Sequence, residues 1–194
     1  TVGIPGIIGL TLDFEFDQTG GQAELLLQDG AVDLPGVFED PLVRVGQLSG
    51  QVKWQVDGER IAVQAPNLKF SNADAQGEAQ IKWETADPRR SGARARFPGV
   101  LDLQASLSRA DGTKVHRYLP LVIPASARHY VRDAIVSAAA TGARFKVKGD
   151  LHDMPFKDPR QGEFRISANI QNATFAYVPR SLQPPDSPPW PALT

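Results

Sequence analysis

The sequence predicts a mainly β fold: a curled antiparallel β-sheet, shaped as a groove or taco, of about ten strands with one short helix. Three observations predict it. Apolar and polar residues alternate with period two through most of the 194 residues, the pattern of strands with one greasy and one wet face. Short turn dipeptides, Gly20-Gly21, Asp29-Gly30, Asp57-Gly58 and Asp111-Gly112, separate the runs. Neighbouring strands are therefore antiparallel, because parallel neighbours need long crossovers. Helical spacing occurs in a single stretch.

The first strand alternates Ile8, Leu10, Leu12, Phe14 and Phe16 with Gly9, Thr11, Asp13 and Glu15. Ala23, Leu25 and Leu27 carry the return as far as Asp29-Gly30. Leu34 to Pro41, with two prolines, reads as a loop or edge. Alternation resumes from Leu48 through Val52, Trp54 and Val56, reverses at Asp57-Gly58, and continues with Ile61 and Val63. Leu68 and Phe70 begin another strand, Asn72 to Gly77 supplies a polar turn, and Ala79, Ile81 and Trp83 return. Asp87 to Pro98 has no apolar period and reads as a loop holding Arg89, Arg90, Arg94 and Arg96. Leu101, Leu103, Ala105 and Leu107 form the next strand, ahead of an extended, proline-bracketed run from Tyr118 to Pro124.

A helix is expected over residues 126–140. Ser126 suits its N-cap, Tyr130, Val131, Ala134, Ile135 and Ala138 recur at three- and four-residue spacing, and Gly142 suits a left-handed C-cap. Phe145 and Val147 then alternate with basic residues, and Asp150 to Phe156 forms a turn. Phe164, Ile166, Ala168 and Ile170 make the last strongly alternating strand, with Ala173, Phe175 and Tyr177 pairing back or continuing it. Residues 1–178 thus read as one groove domain and residues 179–194 as a proline-rich tail, poorly ordered in part unless Trp190 docks on the sheet. Because the apolar pattern begins almost at once, at Ile4, a fragment of a longer chain is expected.

Composition narrows the function. A formal charge of −1, from 21 basic and 22 acidic residues, gives no basic excess for nucleic acid. The absence of cysteine excludes disulfides, cysteine nucleophiles and thiolate metal sites. No run reaches the ~20 apolar residues of a membrane helix. His116, His129 and His152 lack metal-ligand spacing, so neither metal nor cofactor is expected. Asp150 and Asp153 flank His152 and could suggest acid-base chemistry, but aspartates beside Gly149 and Pro155 suit a turn. No nucleophile elbow or phosphate loop occurs, and no enzyme activity is expected. The arginines from Arg89 to Arg96 could hold phosphate head groups or simply solvate a loop.

The apolar phase of the strands supplies the remaining candidates. A sheet with one apolar face must hide it by closing, folding over or curling around an apolar ligand, and a single short helix cannot cover it all. From Leu10 to Phe16 the strand spans about 20 Å, enough to shelter an acyl chain of ~15 Å. One tail leaving roughly 300 Å² on such a wall would gain about 7 kcal/mol before ordering costs.

Several motifs carry a family resemblance. They are Pro98-Gly99-Val100-Leu101-Asp102-Leu103, Tyr118-Leu119-Pro120, the helix before Gly142, Gly149-Asp150-Leu151-His152-Asp153-Met154-Pro155-Phe156, Gly162-Glu163-Phe164, and the closing Tyr177 and Trp190-Pro191. Upstream, Leu48-Ser49-Gly50, Asp57-Gly58 and Asn72 to Gly77 match as well. In order and spacing they resemble a periplasmic segment of the YhdP family, within the AsmA-like superfamily that also contains TamB. Met154 stands where an aromatic residue is expected, and the insert from Leu182 to Pro189 is longer than expected.

The resemblance implies a Gram-negative envelope protein, anchored in the inner membrane by an N-terminal helix and spanning the periplasm as a long curled sheet. Its groove would carry phospholipids between inner and outer membrane, with both membranes contacted by parts of the chain beyond this segment. The lining would comprise Leu10, Leu12, Phe14, Phe16, Leu25, Leu27, Val52, Trp54, Val56, Ile61 and Val63. It would continue through Leu68, Phe70, Ile81, Trp83, Leu101, Leu103, Phe145, Val147, Phe164, Ile166 and Ile170. The alternative is a structural scaffold for envelope assembly, with a closed core and no lipid.

Overall fold

In a computed structural model, which describes residues 4–193, eight strands form one antiparallel sheet whose spatial order is the chain order. They are β1 (Gly6–Asp17), β2 (Gly20–Asp33), β3 (Leu42–Asp57), β4 (Arg60–Ser71), β5 (Ala75–Glu84), β6 (Val100–Asp111), β7 (Ile135–Asp150) and β8 (Gly162–Phe175). The sheet does not close: β1 and β8 are its two edges.

The strand count is eight rather than about ten because β4 holds Ile61 to Phe70, and β8 holds Phe164 to Phe175, as single strands; β2 and β7 also run past expected boundaries. β2 continues through Asp29-Gly30, where Asp29 takes φ 52° and the register with β1 shifts by Gly9. β4 runs from Ile61 to Phe70 with only a register shift between Ala65 and Leu68. β7 begins at Ile135, well before Phe145. Such bulges bend a strand without ending it.

The helix, α1, spans Ala125–Ala134, shorter than the expected 126–140. Ile135 pairs with Phe175 of β8, while Ala139 and Ala140 pair with Asp111 and Ala110 of β6. Hydrogen bonding to two neighbours outweighs alanine's helix propensity, which is worth only about 0.7 kcal/mol per residue against an ordinary residue. Gly142, at φ 63°, accordingly sits at a register shift inside β7 and does not cap the helix. The Tyr118 to Pro124 run is also not extended throughout. Gly112–Tyr118 is a 3-10 helix, started by the Asp111 carboxylate accepting from Thr113 N at 2.9 Å, and a turn follows in which Ile123 N donates to Pro120 O.

Register gives the sheet two chemically distinct faces, because paired residues point to the same side. One rung crosses all eight strands as Phe16, Gly21, Trp54, Val63, Trp83, Leu101, Gly149 and Gly162. The adjacent rung, on the other side, reads Glu15, Gln22, Lys53, Gln64, Lys82, Asp102, Lys148 and Glu163. Opposite charges meet on that polar face: Lys146 lies 2.7 Å and Arg165 3.0 Å from Glu163, and the lysine hydrogen bond holds the Glu163 carboxyl below its ordinary pKa.

Among the described residues no second layer of strands or helices covers the apolar face. Pro179 apart, ten apolar residues among those described are buried, and seven are alanines; only Leu27, Val147 and Phe156 are larger. The protein exposes 12817 Å² of surface, where a compact monomer of this length would expose about 9,000 Å². α1 lies at one end of the sheet, against the 3-10 helix and the start of β7. There the buried Arg128 ties it to loop 34–41 through Glu39 Oε2 at 3.3 Å, and to the carbonyl of Ile123. The proline-rich tail returns to the sheet through Leu193, which exchanges two 2.8 Å backbone hydrogen bonds with Phe175. Pro179 is fully buried, while Trp190 is exposed and does not anchor the tail.

Candidate functional site

The candidate lining residues fall on one face. Beyond the first apolar rung, Ala65, Ile81, Leu103, Val147 and Phe164 form a second across β4 to β8, and Leu68, Ala79, Ala105, Phe145 and Ile166 a third. On the β1 side, Phe14 aligns with Ala23 and Val52, and Leu12 with Leu25 and Gly50. Leu10, Leu27, Leu48, Phe70, Gly77, Leu107 and Ala143 make a fourth rung, and Val56 faces Ile61 near the β3–β4 turn. Ile170 keeps the phase of Phe164 and Ile166 along β8 and pairs with Ala140.

This wall is wet. Phe14 and Phe16, stacked on each other at 5.8 Å, are 57% and 66% exposed on the β1 edge. Phe164, Ile166 and Ile170 are exposed on the β8 edge. Trp54, Ile81, Trp83 and Leu103, on central strands, are half-buried by their neighbours alone. Contiguous apolar surface on this scale marks a place where something apolar docks.

The face also has small members outside the expected lining: Ala23, Ala79 and Ala105, which belong to the alternating phase in the sequence, and Ala65, which has no sequence signal of its own. Sequence reasoning missed Phe97 and Phe156, which lie in loops and carry no periodic signal. Phe97 stacks on Trp83, centroids 6.0 Å apart, and Trp83 Nε1 donates to Pro98 O at 2.9 Å. Phe156 folds onto Gly149 and Gly162, where a Cβ would come within 2.8 and 2.6 Å of its ring. Two phenyl rings therefore overhang one end of the apolar wall.

Three troughs, of about 760, 500 and 460 Å³, are lined chiefly by polar-phase residues: Gln22, Lys53 and Gln64 in the first, Gln80, Gln104 and Arg144 in the second, and Lys82, Asp102 and Lys148 in the third. Wall residues contribute as well, Trp54 to the first, Phe145 to the second and Trp83 to the third. The troughs are shallow furrows between long charged side chains. The apolar side offers a broad wall.

Of the residues weighed for catalysis, Asp150, His152 and Asp153 meet in one exposed turn, and His116 and His129 lie elsewhere. Asp150 Oδ1 accepts from His152 N at 3.0 Å and so starts a 3-10 turn, Leu151–Asp153. His152 Nδ1 lies 3.1 Å from Asp153 Oδ1 in an exposed loop. His129 Nε2 meets Glu39 Oε1 at 3.1 Å, and His116 Nδ1 meets its own backbone at Thr113 O. Among the described residues no group of His, Asp and Glu is placed to hold a metal ion, and no helix is long and apolar enough to cross a membrane.

One open antiparallel layer, apolar on one face and charged on the other, defines a single-layer β-sheet module. The chain belongs to the YhdP family: the family model described as YhdP protein matches residues 1–194, the whole chain. This is a family of bacterial envelope proteins. Neither a curated protein nor a solved structure matches the chain.

Proposed function

We propose that this sheet is a lipid-carrying segment of a periplasmic bridge, in which phospholipid acyl chains travel along the apolar face between the inner and outer membranes. Membership of the YhdP family suggests lipid transport of the AsmA-like kind. The observation that carries the reading is the uncovered wall itself: four apolar rungs in which, among the described residues, only Leu27, Ala65, Ala143 and Val147 are buried. A fatty chain laid on it would remove apolar surface from water at ~25 cal/mol per Å². The wall repeats along the sheet without a closed pocket, so a chain could slide along it without leaving a deep well. The residues lining it act by contact alone, and no bond chemistry is required of them.

The same face would also suit a scaffold that docks protein instead of lipid. Lipid carried through purification separates the two. Mass spectrometry of the purified chain is expected to show bound phospholipid, and Trp54→Glu or Ile81→Glu to abolish it while circular dichroism stays strand-rich. Lipid retained undiminished in both variants would refute the reading.

A further inference from the structure

The loop joining β5 and β6 carries charge that its own fold does not use. It closes where Ala86 N donates to Arg96 O at 2.9 Å, and it is fastened by backbone: Arg90 N and Ser91 N both donate to Asp87 O, and Arg94 N to Ser91 O. Asp87, its only carboxylate, takes Arg89 N at 2.9 Å. Of four guanidiniums, Arg96 alone has a structural task, donating from Nη1 to Glu59 O at 2.7 Å. Arg90 Nε stands 3.9 Å from Asp87 Oδ2 with its side chain 90% exposed. Among the described residues no carboxylate lies within ion-pair distance of Arg89 or Arg94.

Geometry puts this charge at the overhung end of the apolar wall. Phe97, next to Arg96, stacks on Trp83. The β7–β8 loop runs alongside, with Leu151 N donating to Gly99 O at 2.9 Å and a Cβ at Gly92 lying 3.0 Å from Asp153 Oδ1. That second loop contributes Phe156 over Gly149 and Gly162. Apolar wall, phenyl rings and free guanidiniums are thus gathered at one end of the sheet, the three kinds of surface that an anionic lipid's tail, neck and head group would need.

We propose that Arg89, Arg90 and Arg94 form a head-group station that selects anionic phospholipids at this end of the sheet; the proposal rests on the lipid reading above. Guanidinium forks match phosphate oxygens. Because the three are exposed, each contact is weak and screened by salt, which suits a station that a travelling lipid must leave. Arg96 stays with Glu59 and holds the loop.

The test uses the full chain, incubated with vesicles made mostly of dioleoylphosphatidylcholine, with equal minor parts of dioleoylphosphatidylglycerol and dioleoylglycerol. Lipids retained by the re-isolated protein are counted by mass spectrometry. The protein is expected to enrich phosphatidylglycerol over dioleoylglycerol by about tenfold at low salt, the sum of three weak ion pairs. High salt should erase the enrichment. A triple variant, Arg89→Ser, Arg90→Ser and Arg94→Asn, keeps a residue tolerant of the φ 49° at position 94. It should still capture dioleoylglycerol and show no enrichment. Equal enrichment in the variant overturns the station and leaves the lipid reading standing. Capture of no lipid by the unmodified chain overturns both. Binding of inorganic phosphate by the lipid-free chain, without any enrichment of phosphatidylglycerol from the vesicles, would make the loop a site for the free anion and overturn the lipid assignment.

Discussion

Trp54 lies across Gly21 on the neighbouring strand, where a Cβ would come within 2.6 Å of the indole Cζ2. The missing side chain is what lets the ring lie flat on the wall. Gly21→Ala would also press on Glu15 O and Phe16 Cβ, each at 2.6 Å. A loss of about 1–3 kcal/mol is expected, as for other overpacked sites, measured by urea unfolding and accompanied by a change in tryptophan emission. An unchanged midpoint would mean that Trp54 does not rest there.

A one-layer sheet should respond unevenly to truncation. Leu27 has 0% of its surface exposed, whereas Phe16 is 66% exposed. Leu27→Ala is expected to cost about 2–5 kcal/mol, and Phe16→Ala less than about 1 kcal/mol despite removing more atoms. Comparable losses in thermal unfolding would show that the Phe16 side of the face is covered.

Asp74, buried at the turn between β4 and β5, accepts from the Tyr118 hydroxyl and from Arg117 Nη1, each at 2.9 Å. Tyr118 is itself desolvated, which pushes its phenol above the ordinary value. Asp74→Ala strands the Tyr118 hydroxyl and leaves Arg117 only its 3.4 Å contact with Asp40, and should cost about 2–3 kcal/mol, while Tyr118→Phe should cost about 1 kcal/mol. The reverse order in denaturant unfolding would remove Asp74 from the centre of this network.

Acid should free the tail. The Arg132 guanidinium, and then the Ser181 hydroxyl at 2.6 Å, hold the Asp133 carboxyl at about 2, down from an ordinary 3.8. A carboxyl depressed in the folded state contributes stability that is complete above its unfolded value and is lost as pH falls through its folded one. Hydrogen exchange in residues 176–193 is therefore expected to speed up as pH falls from 3.8 toward 2, beyond the intrinsic change, and to be fast already at neutral pH in Asp133→Ala. Protection unchanged in that variant would show that the tail is held elsewhere.

The alternating strands were legible because a period of two is local: Leu10 to Phe16, or Phe164 to Ile170, announces its face without reference to any neighbour. Where the chain depends on pairing partners, local reasoning failed. Asp29-Gly30 has turn chemistry yet lies inside β2, because β3 continues to pair past it from Gln47 to Leu42. Ala138 to Ala140 have helical composition, but β6 and β8 pair with Ala139 and Ala140 from both sides. The overhanging Phe97 and Phe156 were illegible for a related reason, since a loop's landing place is fixed by contacts distant in sequence. Neither could periodicity say that the furrows would form chiefly between polar-phase residues.

Leu103 and Gln104 are neighbours on β6 that point to opposite faces, the first onto the apolar wall and the second into the 500 Å³ furrow. A photoreactive phenylalanine placed at each position in turn, irradiated with phospholipid vesicles and analysed by mass spectrometry, compares the two faces directly. Crosslinking to phospholipid from position 103 and none from position 104 is the predicted result; no adduct at 103, or as much at 104, would contradict a lipid path along the apolar face.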